Sequence, residues 1–178
     1  MKERYVIDTN VLIAASASDP KASRNIDATP SDPEERMKVW EWLNRFLLSN
    51  SRLVIDGGCG IEKEYRRNLG FGDFGLQVVI DKMQRADCDF VSVHYDENGH
   101  GVIPGELASI VHDREDRKMV AAAIEAHAEF GEGCVAFAGD TDWHDWESAL
   151  TRHNVVLEPI IRDWSLKKYN QKKKLRNG

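Results

Sequence analysis

Short apolar runs alternate along this chain with longer segments in which apolar residues recur every three or four positions. The runs are rich in β-favouring residues and are bounded by Asp, Asn and Gly, which is typical of buried strands. We expect five such strands, at residues 5–7, 53–55, 90–93, 135–137 and 155–157. Strands that alternate with helices predict a three-layer α/β/α fold around a central, mainly parallel sheet.

The segments between the strands carry helical signals. Met37, Trp40, Leu43, Phe46 and Leu47 recur at helical spacing, after Ser31 or Asp32 as a cap and Pro33 in the first turn. Asp113 is expected to cap the next helix, which carries acids in its first turn. Further helices are expected after Asn10 and over residues 61–69, 76–83 and 142–152.

The length of 178 residues suits one domain. We expect this domain to span residues 1–166, with a polar, Pro-bearing loop insertion at 16–33 and a basic C-terminal tail at 167–178. The tail is expected to be disordered or to be a frayed extension of a helix. It could bind RNA, dock an acidic partner or increase solubility.

Charge and composition exclude several classes of protein. The net charge is −6, but six of the 24 bases and none of the 30 acids lie in residues 167–178, so residues 1–166 carry −12. A protein that coats DNA generically would be basic throughout. A hydrophobic fraction of 42% excludes disorder, and no apolar stretch is long enough to span a membrane. Three cysteines without metal-ligand spacing, and no leader-like start, predict a reducing cytoplasmic setting.

The positions of the acids are more informative than their number. Asp8 directly follows the first predicted strand, and Asp140 and Asp142 follow the fourth. Asp116 lies in the first turn of a predicted helix, and Glu64 lies on the helix after the second strand. The carboxyl ends of parallel strands share one edge of a sheet, where ligands bind. Four separate segments can therefore deliver carboxylates to one cleft.

Clustered carboxylates repel one another unless cations neutralise them. Oxygen ligands suit Mg²⁺ or Mn²⁺, and such ions support attack on a phosphodiester. Thr9 and Asn10 add neutral polar groups beside Asp8. The acids therefore predict a metal-dependent enzyme that acts on phosphate esters.

Four segments resemble the PIN-domain (VapC-like) ribonucleases, in the order and at separations typical of that family. They are VIDTNVLIAA (Val6–Ala15), IEKEYRRNL (Ile61–Leu69), HDREDRKMVAAAIEA (His112–Ala126) and AGDTDW (Ala138–Trp143). The resemblance implies a compact α/β/α domain that cleaves single-stranded RNA with Mg²⁺ or Mn²⁺. By position it implies a catalytic role for Asp8, Glu64, Asp116 and Asp140, support from Asp142 as a further metal ligand, and substrate binding by Asn10.

Many members of that family are toxins of toxin–antitoxin pairs and others process RNA, so an antitoxin partner and a homodimer are both implied by the resemblance. This chain departs from the compact toxins in its loop at 16–33 and in the turn-rich stretch 94–106. It also has Ala138-Gly139 where the family usually has Thr or Ser before the fourth-strand acid.

Several of these residues also have structural interpretations. Asp8 and Asp142 could be helix caps, Glu62 competes with Glu64, and Trp143 and Trp146 are more typical of packing than of stacking on bases. Cations that flank the acids are expected to hold phosphates at the rim of the site, or else to form solvated helix faces. These cations are Arg66, Arg67, Arg114, Arg117 and Lys118.

Two other functions remain open on the sequence. A haloacid-dehalogenase-like phosphatase also starts with a strand followed by Asp, but it normally has a second Asp where this chain has Asn10. A catalytically silent PIN-fold module that binds RNA or protein is the third alternative.

Overall fold

The computed structural model describes residues 1–22 and 25–176 as alternating strands and helices. The first half of the chain contains β1 (Arg4–Ile7), α1 (Thr9–Ala17), α2 (Pro33–Leu48), β2 (Arg52–Asp56), α3 (Gly60–Asn68), α4 (Phe74–Gln84) and β3 (Cys88–Val91). The second half contains α5 (Gly105–Ile110), α6 (Arg117–Phe130), β4 (Gly133–Phe137), α7 (Trp143–Arg152), β5 (Val155–Pro159) and α8 (Arg162–Arg176).

The five strands form one parallel sheet in the order β3-β2-β1-β4-β5. From β1 the chain first winds outward through β2 and β3, and then returns to the other side of β1 to form β4 and β5. The strand order therefore reverses between β1 and β4, where Ile7 pairs with Ala136. In open α/β sheets, a crevice opens at the carboxyl ends of the two strands that flank such a reversal.

Helices cover both faces of the sheet and bury a continuous apolar core. Helices α1, α2 and α4 pack against one another, whereas α6 packs across β1, β2, β4 and β5. The buried Ala121, Ala122 and Ala123 let α6 approach the strands closely, since they carry only a methyl group. The three-layer α/β/α fold that the sequence predicts is confirmed.

The strands lie where the sequence predicts them, with one shift. Strand β3 spans Cys88–Val91, so both of its ends lie two residues earlier in the chain than those of the predicted segment 90–93. Cys88 and Val91 are buried, whereas Phe90, which the sequence places at the start of the strand, is 54% exposed. The short α5 was not predicted, and for the tail the helical form was only one of the two alternatives, beside disorder. Met37, which recurs at helical spacing in the sequence, is 37% exposed, and the buried face of α2 is formed by Val39, Trp42, Leu43 and Phe46.

The predicted loop is shorter than expected, because α1 continues to Ala17 and α2 begins at Pro33. Ser16 is buried, donates its hydroxyl to Leu12 O at 2.7 Å and accepts from the Gly75 N–H at 2.8 Å. The basic tail is helical from Lys167 to Arg176 as the second part of α8, and residues 23–24 and 177–178 of the predicted loop and tail lie outside the described residues. Within the described part of the chain, no helix is long and apolar enough to cross a membrane.

Candidate active site

Asp8 lies at the reversal of the strand order, directly after β1. Its backbone N–H donates to Ala136 O of β4 at 2.9 Å, which extends the pairing of the two strands by one residue. Its side chain caps α1 through a long contact from Asn10 N–H to Oδ1 of 3.5 Å. The residue is only 2% exposed, and Oδ2 has no hydrogen-bond partner among the described residues. The capping bond of Asp8 is therefore weak, and among the described residues its Oδ2 atom accepts no hydrogen bond.

Asp116 and Asp140 come to the same end of the sheet, Asp116 at the start of α6 and Asp140 in the loop after β4. Asp116 stands at the N-terminus of α6 but makes no side-chain capping bond, and its Oδ2 is buried without a partner in the described structure. Asp140 follows β4 and accepts the backbone N–H of Asp142 at 2.8 Å. The predicted cap, Asp113, instead accepts from Glu115 N–H at 2.9 Å in the preceding turn.

The three aspartates interact electrostatically. Burial raises the pKa of Asp8 to about 8, and the negative charge of Asp140 adds to this shift. Burial, followed by the charges of Asp8 and Asp140, raises the pKa of Asp116 to about 9. Burial also raises the pKa of Asp140. The indole N–H of Trp143 favours the ionised form of Asp8, although it does not meet hydrogen-bond geometry. A cation among these groups would lower all three pKa values.

Glu64 reaches this cluster from α3 and is already neutralised by a cation of the protein. The Lys118 ammonium lies 2.6 Å from Glu64 Oε2, and the Thr9 hydroxyl donates to Oε1. Lys118 itself is 4% exposed and also donates to Glu115 O at 2.7 Å. Burial opposes the charge on Lys118, but the bonds and charges of Glu64 and Glu115 together outweigh burial and raise the lysine pKa. Lys118 is therefore part of the site rather than a cation at its rim.

The orientation of α3 selects Glu64 over Glu62. The Tyr65 hydroxyl donates to Ile7 O at 2.5 Å, and this bond fixes α3 against the end of β1. Glu62 lies on the outer side of the helix, where it binds the Arg66 guanidinium at 2.7 Å. The sequence preference for Glu64 agrees with this placement.

Asp56 also helps to position Glu64, a role that sequence reasoning missed. It ends β2, is fully buried and accepts the backbone N–H groups of Gly60 and Ile61, both at 2.8 Å. These two bonds anchor the first turn of α3, whose nominal cap, Cys59, has a left-handed φ of 61° and no side-chain capping bond. The position of Asp56 at the end of a strand was a usable signal, because Asp8 and Asp140 share it.

Asp142 is held by partners within the chain and is not a free metal ligand. Lys172 of α8 forms an ion pair with its Oδ1, and His112 Nε2 lies 3.3 Å from its Oδ2. Burial disfavours the charge of Asp142, but Lys172 and then His112 outweigh burial and lower its pKa. Trp146 Nε1 donates to His112 Nδ1 at 3.4 Å, which leaves the histidine proton on the nitrogen that faces Asp142. The predicted metal-ligand role therefore changes to one of supporting the Asp140 loop.

The predicted phosphate-binding residues divide into three groups. Arg67 is exposed at the site, 3.8 Å from Glu115, whereas Arg66 is bound to Glu62. Arg117 is half-buried and donates to the carbonyls of Val111 at 3.1 Å and Ala108 at 2.7 Å, so it holds the end of α5. Two of the five guanidinium N–H donors of Arg117 are thus used within the chain, and its phosphate-binding role stays a prediction.

The remaining sequence features are structural. Trp143 and Trp146 are fully buried in an edge-to-face pair with ring centroids 5.1 Å apart, so the packing interpretation is confirmed. Gly139, which stands where a hydroxyl residue was expected, faces the backbone of the 18–32 loop. A Cβ atom there would lie 2.4 Å from Thr29 O, so the close approach of this loop requires glycine.

The donors of the cluster fit a divalent cation in their chemistry. Asp8 Oδ2 and Asp116 Oδ2 are buried hard oxygen donors that have no hydrogen-bond partner among the described residues, and a cation beside them would favour the ionised form of both carboxyl groups. In residues 1–22 and 25–176, no three His, Cys, Asp or Glu side chains are already arranged around an ion position.

Comparison of the chain with protein-family profiles, curated proteins and solved structures finds no match.

Proposed function

We propose that this protein is a Mg²⁺- or Mn²⁺-dependent endoribonuclease of the PIN-domain type that hydrolyses phosphodiester bonds in single-stranded RNA. One observation carries the proposal: Asp8 is buried at the reversal of the strand order with Asp116 and Asp140 half-buried beside it, and one buried oxygen each of Asp8 and Asp116 has no hydrogen-bond partner in the described structure. Such a cluster is unfavourable unless a cation joins it. The PIN-like order of the sequence motifs supports the same reaction.

The residues of the site have different roles in the proposed reaction. Asp8, Asp116 and Asp140 hold the ion, and Asp142 keeps the Asp140 loop in place through its ties to Lys172 and His112. Glu64, oriented by Thr9 and Lys118, positions the attacking water. When bound, the divalent ion activates water and stabilises the charge that develops on phosphate. Asn10 and Arg67 are the groups near these carboxylates that we assign to substrate.

The proposal is tested by cleavage of an end-labelled single-stranded RNA. We expect cleavage with Mg²⁺ or Mn²⁺, none in EDTA, and recovery when the ion is added back. Asp8→Asn, which keeps the shape of the side chain, should reduce the rate roughly 100-fold or more while the circular dichroism spectrum is unchanged. Cleavage in EDTA at the same rate would contradict the proposal.

The same protein samples distinguish the rival functions. A haloacid-dehalogenase-like phosphatase would release nitrophenol from nitrophenyl phosphate and leave RNA intact. A silent binding module would retain RNA without cutting it under any divalent ion. Either result would replace the nuclease proposal.

The biological setting is part of the proposal. Free Cys59, Cys88 and Cys134 fit a reducing compartment, so we place the protein in the cytoplasm. An antitoxin partner and a homodimer stay predictions of the sequence. A small reading frame that overlaps the gene would support the antitoxin, and light scattering of the purified protein tests the dimer.

A further inference from the structure

Two cavities flank the aspartate cluster along the carboxyl edge of the sheet. The first, the α3 cavity, has a volume of about 440 Å³ and is lined by Lys63, Glu64, Arg67, Tyr95, Asn98 and Lys118, among others. The second, the α8 groove, has a volume of about 770 Å³, and its lining includes Gly139, Thr141, Trp164, Lys167, Lys168 and Lys172. Both volumes lie in the range of ligand-binding sites.

The strand order places the two cavities on opposite sides of the aspartates. The walls of the α3 cavity come from α3 and the turn after β3, which lie on the β2–β3 side of the sheet, and from Glu115 and Lys118 at the start of α6. The walls of the α8 groove come from the loop after β4 and from α8, on the β4–β5 side. Asp8 and Asp140 follow β1 and β4, between the two. A chain laid along this edge therefore meets the α3 cavity, the aspartates and the α8 groove in turn.

Each side offers exposed positive charge. Lys63 and Arg67 are at the α3 cavity, where Arg67 is exposed, and Lys167 and Lys168 are exposed on the α8 wall of the groove. Over the chain that the structure describes, neither Lys167 nor Lys168 forms an ion pair, whereas Lys172 is bound to Asp142. The opposite wall of the groove contains Asp27 and Asp32, so a polyanion would follow α8.

Each side also offers one half-buried aromatic ring. Tyr95 lines the α3 cavity and Trp164 lines the α8 groove, with Lys168 Nζ 5.8 Å from the centre of the Trp164 ring. Cations that follow the backbone, together with aromatic rings that accept bases, are the usual components of sites for single-stranded nucleic acid.

We infer that single-stranded RNA crosses the carboxyl edge of the sheet, with its phosphates held by Lys63 and Arg67 on one side of the cut and by Lys167 and Lys168 on the other. The inference rests on the proposed nuclease function and deepens it. It assigns the basic C-terminal helix to substrate binding, and it predicts cleavage within the RNA chain, because both flanks of the scissile bond would be held.

The test measures binding of a labelled single-stranded RNA by fluorescence anisotropy at several salt concentrations, in an Asp116→Asn background that prevents cleavage. Arg67→Gln tests one flank and the double variant Lys167→Gln/Lys168→Gln tests the other. Arg66→Gln is the matched control on α3, because Arg66 is bound to Glu62. Lys173→Gln/Lys174→Gln is the control on α8, since these exposed lysines lie outside the groove.

We expect each flank variant to weaken binding several-fold. The slope of log K against log salt should become shallower by about 0.7 for each phosphate that the variant no longer neutralises. The controls should change binding less than twofold. If flank and control variants weaken binding equally, or if neither flank variant changes the slope, the inference is overturned.

Cleavage by the otherwise unmodified chain separates this failure from failure of the proposed function. Metal-dependent cleavage combined with equal flank and control effects overturns only the RNA path. Flank-specific binding without cleavage under any divalent ion supports the path and overturns the nuclease.

Discussion

At the scale of single residues, the aspartates of the site oppose folding when no cation is bound. An unfolded aspartate ionises near 3.8, whereas the pKa values of folded Asp8 and Asp116 are about 8 and about 9. As the pH rises from about 4 to 9, the unfolded chain releases these protons before the folded protein does. The free energy of unfolding of the metal-free protein therefore falls across this range, and this contribution is fully favourable only below pH 4.

Asp116→Asn removes one of these titrations. In EDTA, we expect the variant to gain stability relative to the parent as the pH rises from 5 to 8.5. In the parent, ionisation of Asp116 favours the unfolded chain over this range, and asparagine has no proton to release. Urea unfolding at several pH values measures the difference. Mn²⁺ should stabilise the parent more than the variant. A stability difference that does not change with pH would show that Asp116 does not titrate in this way.

Lys118 makes a separate prediction at this scale. Lys118→Met leaves Glu64 beside the site without its cation, and removing one partner of a buried pair costs about 3 kcal/mol of unfolding free energy. Arg66→Met is the matched control, because it breaks the exposed Glu62–Arg66 pair and should cost about 0.5 kcal/mol. Thermal or urea unfolding distinguishes the two.

The double variant Glu64→Gln/Lys118→Met should recover much of the lost stability, since it leaves no unpaired charge. If Lys118→Met is no more destabilising than Arg66→Met, the buried Glu64–Lys118 pair does not stabilise the fold more than the exposed Glu62–Arg66 pair does.

The sequence allowed the acids of the site to be predicted but not the partners of the cations. Asp8 and Asp140 follow strands, and this position alone brings them to one edge of a parallel sheet. The partners of Arg117 depend on where α5 ends, and α5 was not predicted. The burial of Lys118 depends on the angle between α3 and α6, which neighbouring residues in the sequence do not determine.

At the scale of elements, α3 carries Glu64 into the site, and Asp56 anchors its first turn. Asp56→Asn keeps the size of the side chain but replaces an acceptor oxygen with a donor, and it weakens the bonds from Gly60 and Ile61. We expect a loss of about 2 kcal/mol in stability, because bonds to a buried charged acceptor are involved. RNA cleavage should also slow, because Glu64 moves with α3.

Asp32→Asn is the control at another helix start. Asp32 is exposed and accepts the Glu34 N–H at 2.9 Å, so its replacement at the start of α2 should have a small effect on stability. It should not slow cleavage, because it only removes one negative charge from the wall of the α8 groove that lies opposite α8. Equal effects of the two substitutions on cleavage would contradict the positioning role of Asp56.

The elements themselves were largely predictable, and the exceptions have physical causes. Strands such as β1 and β4 are short runs of mostly buried residues. Such runs are easily recognised in the sequence, because few other elements consist of consecutive apolar residues. Helix α8 has little apolar periodicity, since Ser165 is its one buried residue within the described range. It is attached through Lys172 and through the bond from the Tyr169 hydroxyl to Asp145 Oδ1 at 2.7 Å, and such distant polar contacts leave no periodic signal.

At the scale of the whole molecule, the net charge of −6 conceals a strong division of charge. Acids gather at the site where a cation would join them, while the bases of α8 border the same edge of the sheet. An acidic protein can therefore present a basic path to RNA, because binding depends on the local field more than on the net charge.

The most direct test of the central claim compares two substitutions three residues apart, Asp116→Asn and Asp113→Asn, in cleavage of single-stranded RNA at saturating Mn²⁺. Both remove one negative charge near the start of α6, but of the two only Asp116 carries a buried oxygen that lacks a partner in the described structure. We predict a loss of roughly 100-fold or more for Asp116→Asn and less than about threefold for Asp113→Asn. Equal rates for the two variants, with both correctly folded, would contradict a metal-dependent nuclease site at this cluster.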